Sequence, residues 1–312
     1  MALANNKFYG LSQYKGPFNY ELSGKHFHII MDDGREWSFN FLDGENLEWA
    51  EKGKPYVWDT YEAMKGDDTT FLVHIRPTFG GGLINWNFVL DTAQSLVTMV
   101  VMQEETDPDW PKLIHIEPFF GAIKVPGRDL PKIRHHLSDR MVGHGIYWYY
   151  NPGMSLQHLY RTPSNIRANS GPGVDVVADL KKQLEVTEDP VERKAIEDRI
   201  YHFEERAATY PMFDEPCFHI WINDHLNLFC FVEENQLYHH PRHEGGGGIL
   251  LLQEIERLVD VGLVFNKNEY YMVTAYGVEE TRHDPMNDLE SPYDWSKLKA
   301  VATLGRPVEH DE

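Results

Sequence analysis

At 312 residues and 42% hydrophobic content, the chain is long enough for two domains that each bury a core. A formal charge of −20 argues against nucleic acid, which selects for basic grooves, and no apolar run approaches the ~18 residues of a membrane span. Two cysteines, Cys217 and Cys230, are too few for a disulfide framework, and MALANNKFYG lacks the basic and apolar regions of a signal peptide. Both observations point to a reducing, cytoplasmic setting.

Residues 1–20 read as a loop wrapping the first of two barrels. His26–Met31 and Glu36–Phe41 alternate in polarity around Asp33-Gly34, a strong hairpin signal. Short strand-like runs then recur (YVWDTYEAM, TTFLVHIRP, INWNFVLD, LVTMVVMQ and LIHIEPFF), as in an up-and-down antiparallel barrel. PGRDLP at 126–131 has linker composition, which places the domain division at 1–127 and 128–312. Ile133–Met141 is expected to form a short helix. Met141–Ala168 then reads as strand, Pro-Gly turn, strand and turn.

Residues 174–208 have helical spacing in two pieces, and Asp189-Pro190-Val191-Glu192 between them reads as cap, N1 proline and N3 acid. This predicts a helical hairpin inserted between strands. EPCFHIWIND and HLNLFCFVEE return to strand patterning, Ile249–Phe265 fits helix or strand, and Thr274–Glu280 suits a closing strand. The acidic segment from Asp284 reads as a peripheral tail. The two halves look duplicated, with Gly24 matching Gly143 and Phe71–Pro77 matching Cys217–Asp224. The expected fold is mainly β: two antiparallel barrels, with the helical hairpin in the second.

Sixteen histidines invite a metal, yet HExxH and paired CxxC are absent. The dense cluster at 238–244 is better read as a surface turn, so no metal is assigned. There is no GxSxG nucleophile elbow or GxGxxG dinucleotide fingerprint, and both cysteines sit in apolar strands. A cofactor-free site is favoured.

Tyr147 and Tyr149, two residues apart, share one face of a strand. Were that face the lumen, the two phenols would hold one acidic group, Arg167 would neutralise it, and His158 would move a proton. Paired tyrosines in barrels equally often fill space with the hydroxyl at water. In the first half, His74 and Arg76 share a face that can form a cationic pocket near Trp86, or Arg76 can pair with Glu62 or Glu117.

GKHFHIIMDDGREWSFNF, MVGHGIYWYY…LQHLYR and FHIWIND resemble the MoaF family, named from molybdenum-cofactor gene clusters and built from two lipocalin-like (calycin) barrels. In that resemblance His158 and Trp221 fall at recurring histidine and tryptophan positions. The barrel is also similar to that of phenolic acid decarboxylases, cofactor-free lyases that use two strand tyrosines, an arginine and a glutamate. On that pattern the first barrel departs, with Ile29, Met31, Ala50 and Arg76 at the four positions. The second offers Tyr147, Tyr149 and Arg167. Asn223 stands in the glutamate place, beside Asp224, and His219 and Asp224 are the possible substitutes.

The resulting expectation is a cofactor-free lyase or isomerase acting on a small aromatic, phenolic or carboxylated compound. Tyr147, Tyr149, His158 and Arg167 are its catalytic candidates. His219, Trp221, Asn223, Asp224, His74, Arg76 and Trp86 are its binding candidates. The alternatives are a non-catalytic lipocalin-like binding protein or a molybdenum-cofactor accessory protein. A homodimer is possible; nucleic acid and membrane are not expected partners.

Overall fold

The turn at Asp33-Gly34 closes β1 (His26–Met31) onto β2 (Glu36–Phe41), with Asp33 accepting the Arg35 amide at 3.0 Å. In the computed structural model, which describes residues 18–80, 84–104, 114–151, 154–170, 176–209, 213–234, 247–266 and 269–282, six more strands follow. They are β3 (Asn46–Glu51), β4 (Val57–Lys65), β5 (Thr70–Ile75), β6 (Ile84–Asp91), β7 (Leu96–Glu104) and β8 (Ile114–Ile123). Each pairs with its neighbour in sequence, and β8 returns to β1 through Ile29↔Ile123, so the barrel is closed. Closure removes the edges that an open sheet would present to other chains.

A two-stranded contact by β9 (His136–Leu137) precedes the second barrel. The short helix expected over 133–141 does not form; His136 and Leu137 instead run along the edge of a later strand. The second barrel comprises β10 (His144–Asn151), β11 (Met154–Thr162), β12 (Asn165–Ser170), β13 (Phe213–Trp221), β14 (Leu226–Val232), β15 (Gly248–Glu254), β16 (Val259–Asn266) and β17 (Glu269–Arg282). Pairing of β12 with β13 and of β10 with β17 closes it as an antiparallel barrel of eight strands, with β9 added outside β13. The stretch 249–265, open to either reading in sequence, is the β15–β16 hairpin.

Between β12 and β13 stand α1 (Val176–Val186) and α2 (Pro190–Thr209), the inserted helical hairpin. Asp189 caps α2 as its sequence indicated, accepting the amides of Val191 and Glu192 at 2.7 and 3.0 Å. Leu180, Ile196 and Ile200 form the contact between the helices.

The barrels pack wall to wall. Leu72, Val89, Val100 and Ile116 of the first meet Ile220, Leu228, Leu250 and Leu263 of the second in one apolar cluster. Every one of these eight is fully buried. Each such side chain contributes roughly 1.5–3 kcal/mol of transfer free energy, so the interface is itself a core. This explains why β5, β14 and β15 are buried on both faces and lack the alternation of half-exposed strands.

The internal repeat is in register over three strands. Gly24 and Gly143 both adopt left-handed backbone, at φ 75° and 88°, immediately before β1 and β10. Keeping the spacing between those glycines sets Ile29 on Trp148, Met31 on Tyr150, Phe39 on His158, Phe41 on Tyr160 and Leu47 on Ile166. All ten face a barrel interior. The expected match of Phe71–Pro77 with Cys217–Asp224 is one strand out: strand order pairs β5 with β14 and β4 with β13.

Candidate functional site

The two interiors differ in chemistry. That of the first barrel is apolar and aromatic, with Phe39, Phe41, Phe71, Phe88, Trp37 and Trp86 filling it. The gap bounded by Ile29, Phe39, Val73 and Leu90 has no room for a water molecule. Asp59 is a buried polar group near one end, accepting the Trp49 indole N–H at 2.7 Å and the Thr78 amide at 3.0 Å.

The second interior carries a polar array instead. Trp148 Nε1 and Gln253 Nε2 donate to the Tyr160 hydroxyl at 3.1 and 2.7 Å. Asn227 Nδ2 donates to Gln253 Oε1 at 3.1 Å and lies 3.3 Å from His219 Nδ1. An amide N–H facing Nδ1 makes that nitrogen the acceptor, so Nε2 carries the His219 proton and points toward Cys217 Sγ at 3.9 Å. One chain of contacts thus runs from Trp148 to Cys217 across five strands.

Beside this chain sits His158, 1% exposed, with its ring 5.7 Å from Phe229 and from Phe231 and 6.0 Å from Tyr160. Neither of its ring nitrogens has a hydrogen-bond partner. Burial, reinforced by nearby His219, drops its pKa to about 3; burial alone brings His219 to about 3. Both rings are therefore neutral at physiological pH. Asp260, fully buried on β16, accepts the Ala275 amide at 2.8 Å through Oδ1, while Oδ2 has no partner. Burial pushes its pKa up to about 7, even against that hydrogen bond. Burial likewise raises the Tyr150 and Tyr160 hydroxyls, and the Asp260 charge adds to both. Glu215, opposite Ile166 on the same inner wall, is also fully buried.

The sequence-predicted residues divide sharply. His158 and His219 face this interior. Tyr147 and Tyr149 do not: Ile146, Trp148 and Tyr150 take the inner face of β10, and the tyrosines lie opposite the exposed Val278 and Tyr276 on the outside. A lumenal Tyr147–Tyr149 pair is one residue out of step with the glycine register, and a one-residue slip on a strand reverses every side chain. Arg167 is also on the outer wall. It is 4% exposed and forms a two-pronged pair with Asp214, Nε to Oδ1 and Nη2 to Oδ2, both 3.0 Å; Arg161 joins at 3.0 and 3.1 Å.

Asn223 and Asp224 belong to the β13–β14 turn. Asn223 Oδ1 accepts the amides of His225 and Leu226, its Nδ2 donates to Asp67 of the first barrel at 2.9 Å, and the Asp224 carbonyl accepts from Arg140. Trp221, at the end of β13, stacks on His136 at 5.2 Å. His74 and Arg76 do share a face, but it is the wall between the barrels. His74 lies 4.4 Å from the Tyr270 ring, and the Arg76 guanidinium sits over the same ring. His74 Nδ1 donates to Asn87 Oδ1 at 3.0 Å, and burial brings its pKa to about 4. Trp86 points the other way, into the first interior beside Trp49 and Phe79. These three do not come together.

Sequence reasoning missed Trp148, Tyr150, Tyr160, Asn227, Gln253, Asp260 and Glu215. The Gly24–Gly143 register was the available signal for the first three. The histidine cluster at 238–244 lies outside the described residues. Among the described residues one group has metal-ligand composition, exposed His225 and Glu256 with buried Glu254. Its atoms already serve ion pairs, His225 with Glu256 at 3.1 Å and Glu254 with Arg257 at 3.2 Å. No described helix is long and apolar enough to cross a membrane.

No curated protein matches the chain over its sequence. The model of the MoaF N-terminal domain matches residues 7–104, a span that runs through β7 of the first barrel. By that match, residues 7–104, about a third of the chain, are similar to the MoaF N-terminal domain.

Proposed function

We propose that the second barrel receives a small phenolic compound in its interior and acts on it by proton transfer, as a cofactor-free lyase or isomerase. The observation that carries this reading is His158. Two ring nitrogens without partners, inside a cage of Phe229, Phe231 and Tyr160, mark a place where hydrogen-bonding capacity is held for something else. In this scheme the neutral His158 ring hydrogen-bonds the substrate through its unmatched nitrogens, while the Tyr160 hydroxyl, which accepts two bonds already, orients the substrate with its own proton. Asp260, with its pKa near neutrality, exchanges protons at physiological pH. Tyr147, Tyr149 and Arg167 have no part in it.

A non-catalytic binding barrel is the second reading. The chain of bonds from Trp148 to Cys217 favours it, because that chain fixes side chains for recognition without requiring any of them to transfer a proton. A molybdenum-cofactor accessory role rests on the family name alone. The two free, buried cysteines suit a reducing cytoplasmic setting.

Incubation with a panel of hydroxycinnamic and simpler phenolic compounds, read by mass spectrometry and thermal shift, tests the reading. A product lighter by carbon dioxide supports a lyase, and a mass-neutral product an isomerase. Stabilisation without a new species selects the binding barrel. If no compound stabilises or changes, the phenolic reading is wrong.

A further inference from the structure

The second interior contains no cation, among the described residues, where an anionic substrate would need one. Arg161 and Arg167, on β11 and β12, both close on Asp214 on the outer wall. Among the described residues, those facing inward between Ile146 and Ala275 include no lysine or arginine. Among the described residues, the interior side-chain atoms without a hydrogen-bond partner include His158 Nδ1 and Nε2, Asn227 Oδ1 and Asp260 Oδ2. A neutral imidazole offers one N–H donor and one lone pair, and the amide oxygen is an acceptor. Buried Glu215 and Asp260 add acidic groups to the same wall. A carboxylate brought here would lose its water and meet no compensating charge, which is the costly way to bury an ion. The flat faces of His219, Phe229 and Phe231, stacked in turn at 4.8 and 5.3 Å, suit a planar ring.

We infer that the ligand of the second barrel is an uncharged, hydroxyl-bearing aromatic compound and not a carboxylate. The inference rests on the reading that this interior is the working site, and it narrows that reading to chemistry that needs no carboxylate, so a product lighter by carbon dioxide would overturn it while leaving the site in place. Burial supports it independently, because His158 and His219 stay neutral far below physiological pH and supply no positive charge either.

The test is calorimetric titration of the full chain at pH 7.5 with methyl 4-hydroxycinnamate and with 4-hydroxycinnamate, which share ring and hydroxyl but differ in charge. The ester is expected to bind at least tenfold more tightly than the acid, and to lose tenfold or more in His158→Phe and in Tyr160→Phe. Arg167→Lys is expected to leave the ester-to-acid ratio unchanged. An acid that binds as tightly as the ester, and is weakened by His158→Phe, overturns the uncharged ligand while leaving the site in place. Absence of binding by both, or ester binding indifferent to both interior variants, overturns the site and the inference together.

Discussion

His158 and Tyr160 are alternate residues of β11, their rings edge to face at 6.0 Å, and their polar atoms are treated oppositely. The Tyr160 hydroxyl accepts from Trp148 and Gln253, whereas neither nitrogen of His158 has a hydrogen-bond partner. At the equivalent places the first barrel has Phe41 and Phe39. The repeat therefore shows what a purely structural filling of these two positions looks like, and the second barrel departs from it.

Replacing His158 by Phe restores the first barrel's choice. The variant is expected to be more stable by about 1–3 kcal/mol, because two buried, unmatched nitrogens are exchanged for a ring of similar size. Urea denaturation measures this directly. A destabilised but folded His158→Phe would show that the ring is matched by ordered water and serves the fold.

The tyrosines separate inner from outer wall. Tyr149→Phe is expected to change stability by no more than about 0.5 kcal/mol, as for surface substitutions generally. Tyr160→Phe strands the N–H groups of Trp148 and Gln253 and should cost about 1–3 kcal/mol. Equal costs in thermal and urea unfolding would contradict the orientation of β10.

Asp214 holds two buried guanidiniums, Arg161 and Arg167. Asp214→Ala is expected to lose about 3–5 kcal/mol, since one deletion removes the carboxylate that both buried guanidiniums share. The doubly altered Arg167→Met, Asp214→Leu should recover part of that loss. A cycle of the two single variants and the double measures the coupling; additivity within error would refute a direct pair.

Stability should pass through an optimum with pH. The His74, His158 and His219 rings fall from 6.5 in the open chain to about 4, 3 and 3 in the fold, so their contribution is lost as pH drops below 6.5. Asp260 and Glu234 rise from 3.8 and 4.5 to about 7, so theirs is present at low pH and lost as pH rises through 7. The opposing slopes cancel near pH ~6.5. Urea midpoints from pH 4 to 9 locate the maximum, and Asp260→Asn should shallow the alkaline side. A profile flat from pH 5 to 8 is incompatible with these burials.

Local pattern was enough for much of the architecture. Alternating polarity around Asp33-Gly34 gave the first hairpin, Asp189-Pro190 gave the start of α2, and recurring short strands gave two barrels, because each depends on residues adjacent in the chain. His158 was named beside the tyrosine pair and His219 through the decarboxylase resemblance, and the fold turns both inward. The face of β10 was not: Tyr147, Trp148, Tyr149 and Tyr150 are all aromatic, so their polarity does not distinguish inside from outside. Nor could the chain alone place Arg167, whose partner Asp214 lies across the helical insertion. Strands buried on both sides between the barrels carry no alternation to read. Neighbouring residues were sufficient to specify the repeated strands and the positive-φ glycines that begin each barrel. Barrel closure fixes one face of every strand inward at once, and that long-range constraint brings His158, Tyr160, His219, Asn227, Gln253 and Asp260 together while the arginines stay outside.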